Sequence, residues 1–308
     1  MIKKYIKKGL LFITSKQYRT KILAWLGMYD SLSDEEYIRK MYYCYFGREI
    51  DLDNPKTFNE KLQWLKLNDR KNAYTSIVDK YEIKRVLTEQ IGERYVVPTY
   101  GVWDSFKEID FNLLPDRFVL KTTHDSGGVV ICRSKKSFDL KNAKEILNHS
   151  LKNNYYKHAR EWPYKNVKPR IIAEMFLDND NEEIDDYKVH CFNGEPKITL
   201  VCSDRHSPSG LTEDFYDNDW NHLNLKRPGV PNSKKSHNKP VNFDEMLSIS
   251  RILSKNYPFI RVDFYIVKDR LYIGELTFYP SGGFNGFKPE EYDMILGNWI
   301  DLSKCKGN

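Results

Sequence analysis

The chain has 308 residues, 40% hydrophobic, 14% aromatic and 30% charged, a balance that excludes a disordered or collagen-like polymer and leaves one large domain or two compact lobes. Lysine and arginine outnumber the acids 49 to 43, yet residues 1–29 hold seven of those cations and no acid, so the rest of the chain sums to −1 and has no cationic surplus for a nucleic-acid groove. Five cysteines at unrelated spacings (Cys44, Cys132, Cys191, Cys202, Cys305) exclude a disulfide framework and a zinc knuckle, and suit a reducing cytoplasm.

At the N-terminus, Leu10, Leu11, Phe12 and Ile13 run at once into Thr14, Ser15 and Lys16, short of the ~7 apolar residues a signal peptide requires. No apolar run approaches the ~20 residues of a membrane span. Ile2, Ile6, Leu10 and Ile13 would share one side of a helix with lysines opposite, so residues 1–25 suit peripheral contact with an anionic membrane, or equally an ordinary basic helix packed on the body.

Residues 30–70 read as helices. Ser33 opens an SDEE cap, and Thr57-Phe58-Asn59-Glu60 is a capping box that starts a helix with Phe58, Leu62 and Leu65 on one stripe. A further helix is expected over 79–90, followed by a turn and a short strand. From residue 117 strands dominate. RFVLK (117–121) and VVICR (129–133) form a hairpin around the turn-prone THDSGG, and a helix follows at 139–151. Strands come next at 170–177, 187–192 and 196–203, then a polar covering loop over 204–243, a helix at 243–255 and a hairpin over 259–278. Helices first, then antiparallel strands with interspersed helices, indicate the α+β class.

The last hairpin carries the strongest chemical signal. With KDR (268–270) as a three-residue turn, Asp263 faces Glu275 and Arg261 faces Thr277, all on one side of the sheet. Directly opposed carboxylates destabilise a sheet unless something cationic lies between them. A divalent ion with oxygen ligands, Mg²⁺ or Mn²⁺, would serve, as would Arg261 alone or simple solvation. The second signal is Lys121 at a strand end, beside a glycine-bearing loop whose N–H groups could meet polyphosphate oxygens; an exposed lysine beside a plain hairpin turn reads equally well. No Walker A motif occurs.

The order of these parts resembles the ATP-grasp superfamily. THDSGGVVIC, REWPYKNVKPRIIAEMF, DYKVHCFNGEPK and RVDFYIV followed by GELTFYPSGGF are similar to its TupA-like branch, named for teichuronopeptide synthesis, over roughly residues 40–300. The resemblance implies an ATP-grasp fold, in which two α+β lobes with antiparallel sheets hold ATP between them. An N-terminal basic helical segment (1–50) and an associated region (51–116) would precede the nucleotide-binding and catalytic lobes (117–308).

By the same resemblance, Lys80 and Lys121 reach the nucleotide phosphates, and His124, Asp125, Ser126, Gly127 and Gly128 form the phosphate-covering loop, with Lys121, His124 and Ser126 counted beside Arg261 as catalytic candidates. Glu174, Met175 and Leu177 form the adenine hinge, and Asp186, with Lys188 beside it, meets the ribose and nucleotide. Asp263 and Glu275 match the metal carboxylates, and Arg261 the arginine that steadies the transferring phosphoryl group. Where the superfamily has Glu-x-Asn, this chain has Glu275-Leu276-Thr277, and a threonine makes a shorter ligand. Arg205 and Lys226 are candidates for a lid cation. The implied activity is an ATP- and Mg²⁺-dependent carboxylate–amine ligase acting through an acyl phosphate on a carboxylate-bearing sugar or polysaccharide precursor, in the cytoplasm or at the inner face of the membrane. The alternatives are a glycosyltransferase using Asp178-Asn179-Asp180 as a metal-binding DxD, a sugar-kinase-like phosphotransferase, and a non-catalytic scaffold. Trp162, Tyr164, Tyr279 and Phe284 are aromatic candidates for contact with sugar rings.

Overall fold

The computed structural model describes residues 11–180, 183–205, 207 and 210–305, and builds them around two sheets whose neighbouring strands all run antiparallel. Two helices near the N-terminus start as their caps dictate. In α2 (Asp34–Phe46) and α3 (Phe58–Asn68), Ser33 and Thr57 each accept from the N3 backbone while Glu36 and Glu60 reach back to the cap. Phe58, Leu62 and Leu65 are buried in the main core, as their spacing predicts. Ahead of them, α1 (Lys16–Trp25) buries no residue, and Ile13, Trp25 and Met28 are 73%, 72% and 65% exposed. Ile2, Ile6 and Leu10 of the amphipathic pattern lie outside the described residues.

After α4 (Ala73–Val78), α5 (Glu82–Ile91) starts three residues later than the sequence suggests, because Asp79 acts as a cap and accepts from the backbone N–H of Tyr81 and Glu82. The first sheet has the order β1-β4-β2-β3, with β1 (Thr99–Trp103), β2 (Phe118–Thr122), β3 (Val129–Cys132) and β4 (Ile171–Met175). Thus β1, from the 51–116 region, is part of the same sheet as β2 to β4. The helix α6 (Leu140–Ser150) covers this sheet through Ala143 and Leu147, and a short α7 (Tyr156–Ala159) follows.

The second sheet has the order β7-β6-β5-β8-β9. Its strands are β5 (Asp186–Phe192), β6 (Glu195–Ser203), β7 (Thr212–Asp217), β8 (Phe259–Val267) and β9 (Arg270–Thr277). One face packs on α8 (Phe243–Ser254) to form the main core, and α9 (Glu291–Asn298) closes against α3. The other face carries charge.

Two sequence expectations need correction. The stretch 204–243 is not all loop: β7 pairs with β6. Its TEDFYD reads as polar because Glu213 and Asp214 are buried acids, the first held by Arg227 and the second by Asn232, Ser233 and His222. In the last hairpin the turn has two residues, Lys268 and Asp269, both at positive φ as a type I′ turn requires. That turn alone would shift every pair by one, but a bulge between Asp263 and Phe264 restores the register, so Asp263 still faces Glu275 and Arg261 still faces Thr277. Gly274, which no partner opposes, fits there because a Cβ would come within 2.7 Å of the Tyr265 ring.

Candidate active site

The first cluster gathers around Glu174 at the end of β4. Glu174 lies opposite Val119 on β2, and its two oxygens bind Lys121 and Lys84 at 2.7 and 2.6 Å. Burial alone would raise this carboxyl, but the two ammonium groups outweigh it and hold the group down to about 2. Lys84 also donates to the Val97 carbonyl at 2.6 Å. The sequence reading missed Lys84, which lies in the first turn of α5, while Lys80 precedes that helix. Lys80 is fixed from two sides: its N–H donates to the Thr123 carbonyl at 3.0 Å and its ammonium to the Asp125 carbonyl. Arg170 bridges Asp79 and Glu82 at 2.8 and 2.9 Å, which locks the start of α5 to β4.

The loop between β2 and β3 is organised differently from what the motif suggests. Asp125 does not point outward: it is buried and accepts from Thr122, Ser150 and the Gly128 N–H. His124 is buried too, with Nε2 3.1 Å from the Asn153 carbonyl. Both act as anchors, since a short loop leaving a strand must satisfy its own polar groups. Gly128 is fixed by packing, because a Cβ there would meet Thr122 Oγ1 at 2.1 Å and Ser150 Oγ at 2.3 Å. Only Ser126 and Gly127 are exposed.

The second cluster lies on the charged face of β5, β8 and β9. Arg261 donates to both Asp263 oxygens at 2.6 Å, and through Nη2 to Glu275 Oε1 and Thr277 Oγ1 at 3.1 Å each. Lys188 bridges Asp186 and Asp263 at 2.5 Å each. Despite complete burial, Asp263 is held down to about 2 by Arg261 and Lys188. Burial, with Arg261 close by, lowers the His190 imidazole to about 3, so it is neutral at physiological pH. Arg205 approaches Asp186 at 3.5 Å, while Lys226 makes a backbone bridge to Lys288.

The donor types fit Mg²⁺. Asp263, Glu275 and Thr277 offer hard oxygens, and Asp186 Oδ1 is buried with no partner among the described residues. No group of three or more acidic, histidine or cysteine side chains is gathered as a metal cage among those residues. That agrees with an ion that takes one or two carboxylates and completes its shell with phosphates and water. Glu275, 45% exposed at its side chain, is the accessible member of the pair.

Between the two clusters, Val97, Val267 and Tyr272 are buried together, with Met175, Leu177, Ile184 and Tyr265 half-buried against them. This apolar patch adjoins the hinge from β4 to β5. A separate cavity of about 470 Å³ has Tyr45, Tyr155, Glu161 and Phe284 in its wall. Tyr279 is buried, Trp162 and Tyr164 are half-buried, and only Phe284 of the four aromatic candidates lines this cavity.

The DxD reading loses support. Asp178 binds Arg117 at 2.7 Å, Asn179 accepts from the Lys268 N–H at 3.1 Å and Asp180 binds Lys268 at 2.9 Å, so the three are tied off separately. Cys44, Cys132, Cys191 and Cys202 are buried, and burial pushes the thiols of Cys191 and Cys202 up to about 12, so neither is a nucleophile. Among the described residues no helix is long and apolar enough to cross a membrane.

Among solved structures the chain is similar to a D-alanine–D-alanine ligase from Bacillus anthracis complexed with ATP, with 14% identity, coverage of 65% of this chain and 53% of that one, and a TM-score of 0.39. It is also similar to the ATP-grasp ligase PsnB complexed with a phosphomimetic precursor variant, Mg and ADP, with 11% identity, coverage of 80% and 66%, and a TM-score of 0.41. A RimK-domain ATP-grasp protein from Sphaerobacter thermophilus gives 10% identity, coverage of 74% and 69%, and a TM-score of 0.40. The chain thus spans about half the length of the first of these. No curated protein matches it. The family described as TupA-like ATPgrasp matches residues 60–301, from the second capping box to beyond the last helix, and the chain belongs to that family.

Proposed function

We propose that the chain is an ATP- and Mg²⁺-dependent carboxylate–amine ligase that works through an acyl phosphate in surface-polysaccharide synthesis, joining an amino compound to a uronic acid. The observation that carries this reading is the convergence of Arg261, Asp263, Glu275 and Thr277, with Lys188, on one face of the second sheet. A carboxylate is too poor an electrophile to meet an amine directly. A substrate carboxylate oxygen attacks the γ-phosphorus as its bond to ADP breaks; the amine then attacks the acyl carbon and phosphate leaves with the remaining proton. Asp263, Glu275 and Thr277 are the residues that would hold Mg²⁺, which would supply charge neutralisation at the polyphosphate.

The chain's own groups account for the rest. Arg261 steadies the transferring phosphoryl group; Lys80 and Lys121 neutralise the phosphates, and the N–H groups of the exposed Ser126 and Gly127 cover them. Glu174, Met175 and Leu177 meet adenine, and Asp186 with Lys188 meets the ribose side of the nucleotide. Positioning and electrostatics suffice, so no cysteine or serine nucleophile is required. The exposed Trp25 and Met28 beside the lysines of α1 support contact with the anionic inner face of a membrane.

The test is titration with Mg·ATP of the wild type and of Lys121→Ala and Glu275→Gln. Saturable, metal-dependent binding that both variants weaken is expected; equal binding by all three would refute the site.

A further inference from the structure

The cavity of about 470 Å³ contains one acid in a setting that the phosphate chemistry leaves unused. Glu161 is 4% exposed and lines the cavity, and among the described residues its carboxylate takes no hydrogen bond. Behind it is Lys66, fully buried, which donates to Gln63 Oε1 at 2.9 Å, the Ala159 carbonyl at 2.7 Å and the Gly282 carbonyl at 2.5 Å. Burial pushes Lys66 down and Glu161 up. Lys66 Nζ reaches three oxygens at once, an arrangement that suits the three-proton ammonium, with Glu161 as its counter-charge across space. With its protons spent on those oxygens, Lys66 leaves the carboxylate free towards the cavity.

Shared lining residues tie this cavity to the reacting centre, and Glu161 lies within electrostatic range of Glu275 and Arg261. Ser281 and Asn285 line both this cavity and a smaller one that Arg261 borders.

We propose that this cavity is the pocket of the incoming amine, and that Glu161 pairs with its ammonium group. This rests on the ligase reading above and deepens it. A buried carboxylate repels a carboxylate substrate and attracts a cation, so the acyl donor is directed towards Arg261 and the amine towards Glu161. The volume, about 470 Å³, is that of a small-molecule site. Tyr45 and Phe284 stack at 5.3 Å and 19° to give it a flat aromatic wall, and Lys21 stands over Tyr45 at 3.8 Å. Lys21 and Tyr45 precede residue 60, where the family match begins. The N-terminal helices therefore close a pocket whose chemistry the family region supplies.

The experiment is thermal unfolding of the full chain with glucosamine, glycine or glutamate, with N-acetylglucosamine as the uncharged control, and separately with Mg·ATP. At about tenfold over its Kd, at least one amine is expected to raise the melting temperature of the wild type by about 3 °C, with no effect from the control. Glu161→Gln should lose that shift and keep the Mg·ATP shift. His158→Trp, at an exposed position in the cavity lining, should also lose it and guards against a folding defect in the first variant. No shift with any of the three amines, or a shift preserved in both variants, overturns the pocket. An amine shift without a Mg·ATP shift in the wild type would leave the pocket standing and remove the ligase reading instead.

Discussion

Replacing Glu174 by glutamine removes the charge that two half-buried lysines share, and the structure gives the cost. The carboxyl falls from an ordinary 4.5 to about 2 in the fold, a depression of about 2.5 units, which corresponds to roughly 3 kcal/mol of stability. Because the folded value is the lower one, this contribution is fully present above the unfolded value and is lost as pH falls through the folded value. Wild type should therefore exceed Glu174→Gln by roughly 3 kcal/mol at pH 7 and by roughly half as much at pH 3, with pH 4 between the two. Urea unfolding followed by tryptophan fluorescence at these three pH values measures the difference. Lys121→Met in the glutamine background should cost little more, since its partner is already gone. A gap below about 1 kcal/mol at pH 7, or one that does not narrow on acidification, would refute the account of Glu174 as a charge held between Lys84 and Lys121.

Gly128→Ala should cost about 2 kcal/mol through overpacking against Thr122 and Ser150, whereas Gly127→Ala, with nothing within 4 Å of its added Cβ, should leave the unfolding midpoint unchanged. Lys66→Met strips the Ala159 carbonyl and Gln63 Oε1 of their donor, leaves the Gly282 carbonyl with Gln63 Nε2 alone and leaves Glu161 uncompensated; a loss of about 3 kcal/mol in urea unfolding is expected, and a neutral result would show that the ammonium is not the buried species. Deletion of residues 1–25 should abolish sedimentation with anionic vesicles, an assay in which unchanged binding would rule out the membrane contact.

Local signals that repeat at short range were legible in the sequence. The capping boxes at Ser33 and Thr57, the stripe of Phe58, Leu62 and Leu65, and the alternation along β5 and β8 name their own elements. The opposition of Asp263 and Glu275 was legible for a partly mistaken reason, since a shorter turn and a bulge offset each other. What escaped were features whose meaning lies in a distant partner. Glu213 and Asp214 look like solvent-facing acids until Arg227 and Asn232 arrive from the following loop. Asp125 looks like a phosphate-loop residue until Ser150, 25 residues on, turns it inward. Glu161 is an unremarked acid in REWPY until α3 brings Lys66 behind it.

The bulge in the last hairpin also separates pairing from curvature. A chain without Gly274 would join Ile273 directly to Glu275, and with the same two-residue turn Phe264 would still meet Ile273 and Asp263 would still meet Glu275. The extra residue is therefore a spacer that bends and twists β9 without altering which residues face each other. A one-residue deletion that looks like damage inside GELT would leave every carboxylate opposite its partner and straighten only the strand that carries Glu275 and Thr277. In this hairpin the pairing of the charged residues and the angle at which they are presented are written in different residues.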